Sequence, residues 1–189
     1  WKCPKGDDHE WEARIIDRNS GTGCPICSGN KVVKSTSFGE KDPEQANLWH
    51  PTKNGKLTPY NVSAGSGKRV WFKCPKGADH EWESTVAKRK IRRNCPICTG
   101  QKVVKSNCLA TLNPDLAKEW HPSKNVSLTP HDVPPGTHRK VWWKCSNGAD
   151  HEWEADVANR NAGKGCPICR GLKVVQSNCL ATLNPDLAK

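Results

Sequence analysis

The chain has no methionine, only 34% of its 189 residues are hydrophobic, and no apolar run approaches the length of a membrane span. The last absence excludes an integral membrane helix, and no stretch has the layout of a secretory leader. So little apolar material excludes one large hydrophobic core. Small modules of this composition fold with the help of disulfides, metals or oligomerisation. The lack of methionine, with a first residue, Trp1, lying inside a motif that recurs later, is expected of a fragment cut from a longer protein. What the chain does have is 11 cysteines and a formal charge of +11. The first points to a metal or disulfide framework, the second to a polyanionic partner or to a merely soluble basic surface.

Self-similarity sets the organisation. The run from Trp1 to Cys27 returns from Trp71 and again from Trp142, so that Cys3, Cys74 and Cys145 stand 71 residues apart. The intervening stretches repeat as well, from Gly29, Gly100 and Gly171. Residues 1–30 are read as the zinc-binding half of a first repeat. Residues 31–101 and 102–172 are two full repeats of linker helix plus zinc module, and 173–189 is the truncated start of a fourth. In the linker, Asn113 can cap a helix with Pro114 in its first position, and Pro122 helps to end it. Ser127 to Pro130 and Pro134-Pro135-Gly136 read as turns. Lys140 to Cys145 is rich in β-formers, His151-Glu152-Trp153 begins a returning strand, and a short helix is expected over roughly 155–160.

Each repeat carries Cys-x5-His-x14-Cys-x2-Cys with invariant spacing. The sets are Cys3, His9, Cys24, Cys27; Cys74, His80, Cys95, Cys98; and Cys145, His151, Cys166, Cys169. Two thiolates two residues apart grip one tetrahedral ion from a single turn, and a hairpin supplies the other pair. Four N/S ligands leave no open coordination position, which marks structural rather than catalytic zinc, three ions in all. A disulfide framework fails because each repeat has an odd three cysteines and a histidine as fourth member. A redox Cys-x-x-Cys would not need that histidine. Iron in the same ligand set is the remaining alternative. Thiolate ligands imply a reducing, intracellular setting, cytoplasm, nucleoid or nucleus. Cys108 and Cys179 align with Ser37 and are read as packing residues, and His50, His121, His131 and His138 as structural.

The words Trp-Lys-Cys, His-Glu-Trp and Gly-x-Gly-Cys-Pro-x-Cys, with Asn-Pro-Asp-Leu-Ala-Lys-Glu-Trp-His-Pro and Leu-Thr-Pro in the linker, resemble a family of treble-clef or probable zinc-ribbon tandem repeats. The resemblance covers essentially the whole chain. It implies small α+β zinc-stabilised modules, each a β-hairpin plus short helices with one zinc. It also implies tandem copies and an occasional association with nuclease-type domains. The second repeat departs from the pattern with Arg92-Arg93-Asn94 before Cys95.

After each His-Glu-Trp, an apolar residue recurs at Ile15, Val86 and Val157, and an arginine at Arg18, Arg89 and Arg160. Two positions vary between them: Arg14, Thr85 and Asp156, then Asp17, Lys88 and Asn159. On a helix, residues 14, 17 and 18 would share an arc of about 100°, opposite an apolar face packed on the hairpin. Variable polar residues there suit the reading of base edges, or simple surface drift. The constant arginines can hold phosphates or be tied to the fold by Glu12, Glu83 or Glu154. Lys88, Arg89, Lys90, Arg92 and Arg93 form a basic cluster, and Lys31, Lys102 and Lys173 follow each knuckle. Trp11, Trp82 and Trp153 are expected in the core. Of Trp71 and Phe72, one is expected to cover the zinc hairpin and the other to meet the linker helix.

The sequence is thus read as a monomeric, zinc-dependent array that binds nucleic acid, double-stranded DNA ahead of RNA, with no membrane partner. No carboxylate pair, nucleophile with its base or open metal recurs, so no enzymatic activity is expected. The alternatives are a protein-interaction scaffold and the targeting segment of a nuclease.

Overall fold

The computed structural model describes residues 1–188. The chain divides into two compact units, the first ending at Cys95 and the second starting at Pro96.

In the first unit, α1 (Ile15–Asn19) follows the first zinc hairpin, which is reduced to a single bridge, Lys2 to Glu10. A 3-10 turn at Lys34–Thr36 leads to α2 (Phe38–Lys41) and α3 (Pro43–Ala46). Each of these one-turn helices is started by a side chain that accepts from an otherwise orphaned amide: Ser37 from Glu40 N, Asp42 from Gln45 N. Strands β1 (Arg69–Lys73) and β2 (Glu81–Thr85) pair antiparallel with Phe72 opposite Trp82, and α4 (Val86–Arg89) follows directly.

The second unit repeats this order. A 3-10 turn at Lys105–Asn107 precedes α5 (Leu109–Leu112) and α6 (Pro114–Lys118). Next come β3 (Lys140–Lys144), paired with β4 (Glu152–Asp156), and α7 (Val157–Asn161). Last are a 3-10 turn at Gln176–Asn178 and α8 (Leu180–Leu183). Asn113 caps α6 with Pro114 at its first position, as the sequence indicates. The helix after the hairpin starts later than expected. Ala155 and Asp156 stay in the strand, and Asp156 caps α7 through Asn159 N at 2.7 Å.

Alternation along β1 buries Val70 and Phe72 and leaves Trp71 and Lys73 partly exposed. The linker docks on the buried face and also extends the hairpin edge. Lys73 N donates to Leu48 O at 2.7 Å and His50 N to Trp71 O at 3.0 Å. Asn54 then brackets Trp71 through both backbone groups, at 2.7 and 2.9 Å. Phe72 is enclosed by Trp82 (centroids 5.9 Å apart), Trp49 (5.8 Å) and Phe38 (6.3 Å). In the second unit Trp143 takes this place, with Trp120 edge-on at 5.4 Å and Leu109, Leu116, Val133 and Val157 around it. One residue therefore performs both tasks that the sequence reading divided between Trp71 and Phe72. Linker and hairpin tryptophan share a face, and Trp71 and Trp142 lie on the other, beneath the Lys53 and Lys124 ammonium groups at 4.7 and 4.5 Å.

Candidate metal centres and the surfaces around them

Each ligand set is assembled by two tight turns. In the hairpin turn, His9 N donates to Gly6 O (3.1 Å) and Cys3 N to His9 O (3.0 Å), which sets the two side chains on one side. The knuckle Cys24-Pro25-Ile26-Cys27 is anchored by buried Ile26, as the later ones are by Ile97 and Ile168. The result is three groups, Cys3/His9/Cys24/Cys27, Cys74/His80/Cys95/Cys98 and Cys145/His151/Cys166/Cys169, with all ligand atoms of a group within 4.8 Å of one another.

Their edges fit zinc. A tetrahedral ion with Zn–S near ~2.3 Å and Zn–N near ~2.0 Å sets S···S at about 3.8 Å and N···S at about 3.5 Å. Cys3 and Cys27 Sγ are 3.7 Å apart, as are Cys145 and Cys169. His Nδ1 lies 3.4 and 3.9 Å from Cys27 and Cys24, 3.3 and 3.9 Å from Cys169 and Cys166, and 3.9 Å from Cys95. These sulfurs are far beyond the ~2.05 Å of a disulfide, and none of the described cysteines is in a disulfide. Crowding perturbs the thiols. Desolvation and the neighbouring thiols push Cys27 up to about 11, whereas the Asn147 amide draws Cys169 down to about 7. Three thiolates in one such space require a cation, and zinc supplies it. With every position filled by protein, the ions are structural.

Several supports were missed in the sequence reading. Gly6, Gly77 and Gly148 stand three residues before each ligand histidine, and a Cβ on them would fall 2.6, 2.5 and 2.5 Å from its Cδ2. Only glycine lets the turn lie on the ring. Asp8 accepts from Ser35 N (2.8 Å) and Oγ (2.5 Å), and Asp150 from Ser177 N (2.9 Å). Ser177 Oγ comes within 3.4 Å of His151 Nε2, so the segment after the last knuckle braces the ligand histidine that precedes it. The recurrence of these residues at fixed offsets within the chain was the available signal.

The fold and its centres define a tandem zinc-binding protein of treble-clef type. The family described as "probable treble clef zinc finger domain" matches residues 1–30, 46–101 and 116–172, and the chain belongs to it. No curated protein matches the chain. Among the described residues no helix is long and apolar enough to cross a membrane.

The residues singled out for nucleic acid separate into two sets. The constant arginines serve the fold. Arg89 is buried beside the stacked Phe72 and Trp82 rings, its guanidinium carbon 5.2 Å from each centroid. It donates to Asn94 O (3.2 Å), Arg93 O (2.6 Å) and Gln45. Arg160 repeats this beside Trp143 and Trp153, bonded to Lys164 O and Glu119, and Arg18 lies over Trp1 and Trp11 and donates to Thr22 O. Arg89 and Arg160 are 2% and 7% exposed and so are closed to phosphate, whereas Arg18 is half-buried. The partners are carbonyls just before the knuckles and, for Arg89 and Arg160, linker side chains, rather than Glu12, Glu83 or Glu154; Glu83 instead pairs with Arg69 at 2.7 Å. Arg93 is likewise occupied, by Asp42 and Glu44 at 2.8 Å each. Lys31 and Lys173 reach back to the carbonyls of Glu10 and Glu152 at 3.1 and 3.4 Å.

The variable positions form local pairs. Arg14 donates twice to Asp17, at 2.9 and 3.0 Å, and Asn159 Nδ2 donates to Asp156 at 2.5 Å. Thr85 is half-buried at the start of α4, while Lys88, Lys90 and Arg92 are exposed. The apolar face packs as expected at Val86 and Val157, which are buried, but not at Ile15 and Ile16, which are exposed.

Cys108, Cys179, His50 and His121 make contacts within the fold. Cys108 is buried and donates to Lys105 O at 3.3 Å where Ser37 donates to Lys34 O at 2.8 Å. Cys179 makes the same bond to Gln176 O at 3.3 Å. His50 Nδ1 accepts from Thr52 N and Lys53 N (3.2 and 3.1 Å), and its Nε2 lies 3.1 Å from Glu81. His121 and Glu152 repeat this at 3.0 Å. The Lys53 ammonium and His50 hold Glu81 down to about 2, and Lys124 and His121 do the same for Glu152.

Proposed function

We propose that the chain is a nucleic-acid-binding array, acting on double-stranded DNA ahead of RNA, in which zinc fixes the modules and no catalytic step occurs. The supporting observation is which charges remain after the fold has taken its share. Carboxylates are consumed by structural pairs: Asp42 and Glu44 with Arg93, Glu81 with Lys53 and Lys73, Glu152 with Lys124 and Lys144. Around α4, Lys88, Lys90 and Arg92 are exposed, and around α7 so are Arg139, Lys140, Lys164 and Arg170. A chain of net charge +11 therefore presents its excess on the zinc modules, where successive modules add phosphate contacts. Arg14 fits a base reader. Asp17 holds one edge of its guanidinium, which leaves the other edge for guanine O6 and N7. Thiolate ligands suit a reducing, intracellular compartment.

The test is the salt dependence of duplex binding. Log affinity should fall linearly with log salt. Changing Lys88, Lys90 and Arg92 together to alanine should reduce the slope by up to about 2.7, at ~0.9 per phosphate. Binding that ignores salt overturns the reading and favours a protein partner.

A further inference from the structure

The two full linkers are copies of one fold, yet they close differently on the zinc knuckle that precedes each. In the first unit a groove of about 730 Å³ lies between the first knuckle (Ile26 to Gly29), the Ser63 to Gly65 turn and the residues after α4. In the second unit the matching turn is Pro134-Pro135-Gly136, and it packs onto its knuckle: a Cβ at Gly100 would meet Pro134 Cγ at 3.7 Å. At Gly29, the counterpart of Gly100, a Cβ would meet nothing within 4 Å. The edges differ as well. Asn113 Nδ2 donates to Asn161 Oδ1 at 3.1 Å, which ties the second linker to α7. Their counterparts are Asp42 and Lys90. Asp42 turns to Arg93, at 2.8 and 3.0 Å, and the Lys90 ammonium enters no ion pair among the described residues. Lys41, where the second linker has Leu112, is likewise exposed and unpaired. Four positions on the groove thus change together, toward a wider and more cationic space.

Taking the chain to bind nucleic acid, as argued under its function, we propose that this groove is a binding site for the sugar–phosphate backbone of one strand. Lys41 and Lys90 supply charge to two phosphates, and the Ser63 hydroxyl adds a donor. Buried Ile26 and Phe38 close the base of the groove with apolar atoms, which suit the deoxyribose between those phosphates. The carboxylate that lines it, Asp42, is already neutralised by Arg93 and does not repel the strand. The volume falls within the roughly 300–1,000 Å³ of ligand clefts, room for a sugar with its flanking phosphates and far more than a lone anion fills. Backbone contact is therefore concentrated where the first zinc module meets the second repeat.

Duplex DNA binding by the zinc-loaded chain, followed by fluorescence anisotropy over a series of salt concentrations, tests this. Every substitution borrows the residue of the next repeat, which the same fold accepts. Lys41→Leu with Lys90→Asn removes the two charges. Ser63→Pro with Ala64→Pro narrows the groove and leaves the charge untouched. Both pairs should retain three zinc ions and the parent far-ultraviolet spectrum. Each should reduce the salt slope by up to about 1.8, two phosphates at ~0.9 each, and all four changes together should reduce it no further. Lys56→Ser with Lys105→Gln removes as much charge away from the groove and should keep the parental slope. A folded proline pair with the parental slope would overturn the proposal and leave the nucleic-acid reading standing. So would a control pair that flattens the slope as much as the charge pair does. A parent chain whose binding ignores salt would overturn both.

Discussion

Replacing Gly148 with alanine should loosen one zinc site without touching the others. The added Cβ would lie 2.5 Å from His151 Cδ2, 2.7 Å from Nε2 and 2.9 Å from Cγ. Carbon atoms in ordinary contact stand about 3.5–4.0 Å apart, so ring and turn must separate by about 1 Å. Metal–ligand distances tolerate a change of only about 0.2 Å. The ring is also braced from behind by Ser177 and faces two thiols, so it cannot retreat freely. Loss of a support that orients a ligand costs about 10–100-fold in metal affinity, or about 1.4–2.8 kcal/mol. Competition against a chelator of known affinity should show one weakened site and two unchanged ones. Gly165→Ala is the control, since its Cβ would meet nothing within 4 Å. If Gly148→Ala bound three ions as tightly as the parent, the close approach would have no part in holding the histidine.

Arg160→Gln should destabilise the second unit by about 2–3 kcal/mol in denaturant titrations, less than a fully buried pair because Glu119 stays partly exposed. Its folded fraction should bind DNA with parental salt dependence; a reduced slope would mean that Arg160 does touch phosphate. The double change Asp156→Arg with Asn159→Asp should transfer the first module's base preference to the third, a shift of about 1–3 kcal/mol in binding to a site panel. Asp156→Arg alone should not, because it removes the α7 cap and supplies no carboxylate to orient the arginine. An unchanged preference after the double change would mark these positions as plain surface.

The ligand sets, the hairpins and the capped linker helix were legible because each rests on local chemistry at fixed offsets: knuckle spacing, β-branched and aromatic runs, Asn113 before Pro114. The role of the constant arginines was not. Charge and recurrence look alike for a phosphate contact and for a buried clamp. What decides between them is the pair of rings that pairing Phe72 with Trp82 brings together across the hairpin. Division of labour between Trp71 and Phe72 failed for a similar reason, since strand alternation gives two faces but not which one the linker takes. The turn glycines repeat in plain view, yet their purpose lies in a contact between backbone and ring that periodicity does not express. Ile15 is exposed where Val86 and Val157 are buried, a difference that the matching local sequence does not express.

The central claim is that three structural zinc ions hold these modules together, and metal content measured alongside folding tests it most directly. Purified under reducing conditions, the chain should contain three zinc ions, one for each Cys3His group. Stepwise removal by a strong chelator should abolish the hairpin signal and near-ultraviolet tryptophan bands in parallel with the metal. Structural zinc contributes on the order of 10 kcal/mol per site, so no folded apo form should persist. Fewer than three ions, a disulfide between Cys95 and Cys98 in the native protein, or a chain that stays folded with its metal gone would contradict the account.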